Sequence, residues 1–112
     1  MTSRTYGPYV HGLNKGGLRE IRATQKLRAT CPANYMASDR PAVRAYVGTF
    51  EFLKKRMNWS GRDHTFIEFM TKIPSRSDLP PMHAEWTENQ LVDGHLAIQI
   101  LRVVNGEGEA VD

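Results

Sequence analysis

The chain has 112 residues, of which 40% are hydrophobic and 24% charged, and its formal net charge is +3. This length and composition are typical of one globular domain with a modest core. No apolar run reaches the roughly 18 residues that a membrane-spanning helix needs. A single cysteine, Cys31, excludes an internal disulfide bond.

Charge is distributed unevenly along the chain. Residues 1–30 carry six Lys and Arg against one Glu, whereas residues 73–112 carry two Arg against seven Asp and Glu. The two ends therefore have net charges of +5 and −5. Opposite charges of this size either attract each other within the fold or contact two different neighbours.

The first 17 residues predict an extended, irregular N-terminal arm, because four glycines and one proline interrupt any regular period. Tyr6 and Tyr9 are the arm's candidate contacts with a partner protein. The first 30 residues are also rich in Arg, Ser and Thr and poor in acidic residues, as mitochondrial transit peptides are. This composition predicts a mitochondrial location, with the cytoplasm as the alternative.

Residues 18–30 predict a basic helix at the start of a single small domain, residues 18–104. Its apolar face is thin, and four basic residues cover most of its surface: Arg19, Arg22, Lys26 and Arg28. One interpretation is a solvated amphipathic helix that leans on the domain. The other is a helix that contacts the phosphates of RNA or another acidic surface.

The clearest helical pattern lies in residues 41–57. Apolar residues recur there at i, i+3, i+4 and i+7 from Val43 to Phe50. A second stripe would follow the opposite face of that helix: Pro41, Ala45, Gly48 and Phe52. Glycine costs about 1 kcal/mol relative to alanine inside a helix. We therefore interpret this stripe as a close contact, either with a partner protein or with the domain's own core.

The apolar spacing in residues 61–73 predicts a third helix. Residues 65–73 are also rich in β-branched and aromatic side chains, so a strand is the alternative there.

A proline-rich connector leads to a last predicted helix at residues 88–104. Thr87 and Gln90 form a capping box at its start, and residues 96–104 would also fit a strand. Residues 105–112 form an acidic C-terminal tail.

The sequence contains no recognisable catalytic or cofactor-binding motif. The four histidines have no metal-ligand spacing with one another or with Cys31: His11, His64, His83 and His95. Phosphate-binding loops, dinucleotide fingerprints and nucleophile elbows are also absent. We therefore predict that the chain is not an enzyme and has no metal or other cofactor.

Together these patterns predict an all-α fold of three to four helices, with an extended arm and irregular connectors. The predicted function is a non-catalytic accessory or structural subunit of a large multiprotein complex, docking through apolar helix faces. The transit-like start favours a mitochondrial respiratory-chain or ATP-synthase complex, through which the chain would reach a membrane surface without spanning it. The alternative is a ribosomal or mitoribosomal protein that binds RNA through its basic N-terminal third.

Overall fold

The computed structural model describes residues 4–13, 15–30, 41–76 and 82–111. Within them the chain is mostly β, so the all-α prediction is wrong. The elements in chain order are β1 (Tyr6–Leu13), α1 (Lys15–Thr24), β2 (Lys26–Arg28), β3 (Ala42–Val47), α2 (Phe50–Met57), β4 (Thr65–Thr71), β5 (His83–Thr87), a short 3₁₀ helix (Glu88–Gln90), β6 (His95–Ala97) and β7 (Gln99–Asn105).

Five of these strands form one antiparallel sheet in the order β5-β3-β1-β4-β7, and β2 pairs with β6 in a separate small sheet. The central strand is β1, in which Tyr9 lies opposite Val47 of β3 and Phe69 of β4. The segment predicted as an irregular arm thus contains the middle of the sheet. Pairing on both sides satisfies its backbone groups, which local sequence patterns do not reveal.

The two faces of the large sheet carry different layers, because successive residues of a strand point to opposite sides. We call the first the α1 face. There Leu18 of α1, Leu27 of β2 and Leu96 of β6 belong to the same buried cluster as Phe69 and Trp86.

We call the opposite side the α2 face. Phe50 and Leu53 of α2 are fully buried there, in a cluster with Val10 and Phe66 of the sheet. Trp59, from the turn after α2, stacks on Phe66 with the ring centroids 4.5 Å apart. Aromatic packing of this kind makes the α2 face a dry core layer.

The helix predicted at residues 41–57 is a strand followed by a short helix. Gly48 has a φ of +133°, which neither a helix nor a strand allows, so the chain turns there. Thr49 then caps α2, its hydroxyl oxygen accepting a hydrogen bond from the Phe52 N–H at 3.3 Å. The apolar pattern fits both structures. Val43, Val47 and Phe50 follow helical spacing, whereas Val43, Ala45 and Val47 alternate as a strand requires.

The basic helix predicted at residues 18–30 is shorter than expected. It ends at Thr24, and Gln25 adopts a left-handed conformation with φ +55° before β2 begins. The predicted boundary at Cys31 lies outside the described residues.

The other two predicted helices are mainly strands. For residues 65–73 the strand alternative is correct, since β4 occupies Thr65–Thr71. A strand between two others is buried on both faces, so its apolar residues run together and lose the alternating pattern.

In residues 88–104 only the first three residues are helical, and β6 and β7 follow. The Thr87 N–H does donate to Gln90 Oε1 at 2.9 Å, as the predicted capping box requires. The strand alternative for residues 96–104 agrees with β7.

The acidic tail lies along β7, where the Val111 N–H donates to the Val103 carbonyl at 3.0 Å. Neither helix in the described part of the chain has the length and apolar character needed to cross a membrane.

Candidate functional site

The two buried carboxylates on the α2 face, Glu85 and Glu68, are both paired. Glu85 of β5 is 1% exposed, and its carboxylate lies 2.9 Å from both Arg44 Nε and Arg76 Nη1. A carboxylate buried this deeply is tolerated only when hydrogen-bonded cations compensate for its lost hydration. Arg44 lies on β3 and Arg76 follows β4, so the triad connects β5 to two other parts of the chain and is structural.

A second buried carboxylate on this face holds the start of α2. Glu68 Oε2 accepts a hydrogen bond from the Phe50 N–H at 2.9 Å, and Arg102 Nη2 lies 3.3 Å from the same oxygen. A negative group at a helix N-terminus satisfies a free N–H and complements the helix dipole. Arg102 also contacts the exposed Glu51, and that hydrogen bond lowers the Glu51 pKa.

The α1 face carries a groove instead. It runs between α1, β2 and the turn before β6, and its main cavity has a volume of about 440 Å³. An adjoining hollow of about 680 Å³ shares four of its lining residues: Glu20, Arg28, Asp93 and His95. We call the two together the α1 groove.

The charged groups that line the main cavity of the α1 groove are unpaired, unlike the two buried carboxylates of the α2 face. Glu20 comes from α1, Lys26 and Arg28 from β2, and Asp93 from the turn before β6. All four are exposed, and within the described residues none has an ion-pair partner. Charges of both signs therefore line one cavity without neutralising one another.

Both histidines that line the α1 groove are oriented by backbone carbonyls. His11 Nδ1 lies 2.7 Å from the Arg44 carbonyl oxygen, and His95 Nδ1 lies 2.8 Å from that of Asp93. A carbonyl only accepts, so each Nδ1 carries the hydrogen and a neutral ring keeps Nε2 as an acceptor. Burial lowers the pKa of His11, an effect that its bond to the Arg44 carbonyl opposes.

The turn before β6 is a two-residue hairpin turn. Val92 and His95 pair across Asp93 and Gly94, which both have positive φ, at +53° and +74°. The Gly94 carbonyl accepts a hydrogen bond from the Ala29 N–H at 2.9 Å, which ties this turn to the end of β2. That contact places Asp93 beside the basic residues of β2.

The predicted partner-binding stripe does not form one helix face. Ala45 is buried in the α1-face cluster, and Pro41 lines the hollow that adjoins the α1 groove. Gly48 and Phe52, however, do meet: a Cβ built on Gly48 would lie 3.1 Å from Phe52 Cδ1. Phe52 is half exposed, and we call the surface formed by Gly48 and Phe52 the α2 patch.

The two tyrosines of the predicted arm belong to the sheet. Tyr9 is buried, with its ring edge-on to Trp86 at 4.9 Å, and Tyr6 packs at the margin of the same cluster. A partner could reach Tyr6 but not the Tyr9 ring without unfolding of the sheet.

The four predicted basic contacts are all exposed. Lys26 and Arg28 line the α1 groove, whereas Arg22 donates a hydrogen bond to the Val111 carbonyl of the acidic tail. Arg19 lies on α1 and lines neither part of the groove.

The sequence did not point to Glu20 or Asp93 as site residues, and it predicted no metal or catalytic role for His11 and His95. One available signal was the Asp93-Gly94 dipeptide between apolar residues, which is typical of a tight hairpin turn. It would have predicted the turn, but not that β6 pairs with β2 some 70 residues earlier.

In the part of the chain that the structure describes, no three His, Cys, Asp or Glu side chains come together in a metal-binding arrangement. Comparison with known proteins found no matching family, no curated relative and no similar solved structure. The function must therefore be inferred from the site itself.

Proposed function

We propose that this chain is a non-catalytic subunit of a protein assembly and that it docks through the α2 patch. The observation that carries the proposal is the exposure of Phe52, an aromatic residue whose surface is 50% accessible. Aromatic side chains are enriched at protein-binding surfaces.

Gly48 is what allows this surface to form. Its φ of +133° is strained for any residue with a side chain, and a Cβ there would press on the Phe52 ring. The ring therefore lies close to bare backbone and stays half exposed. A preorganised aromatic side chain loses little conformational entropy when a partner binds it.

The surroundings of Phe52 define the chemistry of the partner. Lys55 and Arg56 follow it by three and four residues on α2, so they share its side of the helix, and both are exposed. Positive charge beside an apolar anchor favours a protein segment that combines an apolar pocket with acidic side chains. We infer that such a segment is the partner.

A photo-crosslinking amino acid at position 52 tests this proposal, with position 92 as the control. Val92 is 71% exposed on the α1 side of the sheet, so it reports on random contacts. After irradiation of cells that produce the chain, position 52 should yield a protein adduct that position 92 does not. Mass spectrometry should locate the adduct in a partner segment rich in Asp and Glu.

Substitution completes that test. Phe52→Glu should reduce recovery of the crosslinked partner at least tenfold, whereas Val92→Glu should leave it unchanged. Unchanged recovery with Phe52→Glu, or an adduct that ribonuclease removes, would contradict the proposal. Gly48→Leu is unsuitable as a test, because it would strain the backbone as well as alter the patch.

Binding to RNA remains a prediction from the basic N-terminal third. Of the four residues concerned, Lys26 and Arg28 share their groove with Glu20 and Asp93, which would repel phosphate. This favours a protein partner. Nuclease resistance and a weak dependence on salt would be expected of the assembly. The mitochondrial location likewise stays a prediction.

A further inference from the structure

The α1 groove has the size and the mixed lining of a small-molecule site. Its main cavity of about 440 Å³ lies within the range of ligand pockets, roughly 300–1,000 Å³. Leu13, Ile21 and Leu27 supply an apolar part of the lining, beside the charged groups. Pockets of this kind bind the body of a ligand on apolar atoms and orient it with a few polar ones.

The charges of the α1 groove restrict the ligand class. A simple anion would be attracted by Lys26 and Arg28 but repelled by Glu20 and Asp93. A simple cation would be attracted by the two acidic residues and repelled by the two basic ones. A molecule that carries both charges satisfies both pairs. Because none of these four groups has an ion-pair partner in the described chain, each has bonding capacity left for a ligand.

We propose that the α1 groove binds a small zwitterion of the amino-acid type. Its carboxylate would bind Lys26 and Arg28, and its ammonium group would bind Glu20 and Asp93. An apolar side chain would pack on Leu13, Ile21 and Leu27.

The two histidines of the groove supply acceptors for the same ligand. His11 and His95 each have Nδ1–H bonded to a backbone carbonyl, so Nε2 of the neutral ring accepts hydrogen bonds. An ammonium group is a donor with three hydrogens and suits several acceptors at once. This site is separate from the α2 patch, so neither proposal depends on the other.

The experiment is a titration of the full chain with the twenty amino acids, followed by ¹H–¹⁵N NMR. At least one apolar amino acid, for example L-leucine, should shift the backbone amides of residues 20–28 and 93–95. Its counterparts that lack one charge, 4-methylpentanoate and isoamylamine for leucine, should bind at least tenfold more weakly. Absence of any shift at millimolar concentration, or equal binding of the singly charged counterparts, would overturn the proposal.

Two charge-removing variants localise the binding. Arg28→Gln and Asp93→Asn should each lower the affinity for the amino acid at least tenfold. Both residues are exposed, so the variants should keep the fold. Asn is suited to the positive φ of Asp93. Lys72→Gln, at an exposed position after β4 that does not line the groove, is the matched control and should leave affinity unchanged. Equal losses in all three variants would show a nonspecific charge effect and overturn the site.

Discussion

The two faces of the central sheet use charge in opposite ways. On the α2 face Glu85 and Glu68 are buried and hydrogen-bonded to arginines or to a helix N-terminus. On the α1 face Glu20, Asp93 and two basic residues of β2 surround a cavity with no ion pair in the described residues. A buried charge needs a partner because it has lost its hydration, whereas an exposed charge is stable without one because water solvates it.

This difference separates structural from functional charge in a chain that has no catalytic motif. Loss of a paired, buried group should destabilise the fold, whereas loss of an unpaired, exposed group should change only what the protein binds. The following predictions test that distinction, beginning with the largest expected effect.

Glu85→Gln should reduce the free energy of unfolding by about 3 kcal/mol, because it leaves two arginines beside a neutral amide. Urea denaturation measures the loss. Arg62→Gln is the control, since the Arg62–Glu109 pair is exposed at both ends and should be worth less than about 1 kcal/mol. Equal effects of the two variants would mean that Glu85 is not a structural group.

Glu68→Gln and Glu51→Gln form a matched pair, because both carboxylates contact Arg102. Loss of the Glu68 carboxylate should cost about 1–2 kcal/mol, since it removes a charged acceptor from the Phe50 N–H at the start of α2. Loss of the exposed Glu51 should cost under about 0.5 kcal/mol. The same urea experiment compares them, and the reverse order would show that the surface pair holds α2.

The lowered pKa of His11 predicts a small pH dependence. The unfolded chain takes up a proton near the ordinary value of 6.5, before the folded chain does, so acidification below about 6.5 should destabilise the fold. The contribution of one proton is at most about 1.4 kcal/mol per pH unit, and it ends below the folded-state pKa. Above pH 6.5 His11 should contribute no pH dependence.

His11→Asn tests this effect, because the Asn amide can donate to the Arg44 carbonyl without titrating. Urea midpoints at pH 7.5 and 5.5 should differ less in this variant than in the original chain. The other polar groups that line this cavity, Glu20, Lys26, Arg28, Asp93 and His95, are the same in both proteins. A His11→Asn variant that kept the original difference would contradict the assignment.

Local turn and cap signals in the sequence were informative, whereas the long-range pairing was not encoded in any local pattern. Thr87 with Gln90 and the interruption at Gly48 both mark real features of the chain. The pattern of β3 fits helix and strand equally well, and only its neighbours β1 and β5 decide between them. β4 is continuous in apolar residues because both its faces are buried.

The α1 groove could not be predicted for the same reason. Glu20, Arg28 and Asp93 come from three elements far apart in sequence, and only the pairing of β2 with β6 brings them together. For the α2 patch, Gly48 and Phe52 were identified on the assumption of a helix. The two residues are neighbours because the chain turns at Gly48 and not because they share a helix face. Their proximity was therefore predicted correctly, but from the wrong structure.

One measurement tests the contrast between the faces directly and requires no ligand. A variant in which Glu20, Lys26 and Arg28 become Gln and Asp93 becomes Asn removes the four unpaired charges that line the main cavity of the α1 groove. Its free energy of unfolding in urea should stay within about 1 kcal/mol of the original chain, while the single Glu85→Gln change lowers it by about 3 kcal/mol. A loss in the fourfold variant as large as that of Glu85→Gln would show that the groove charges are structural and would contradict the account.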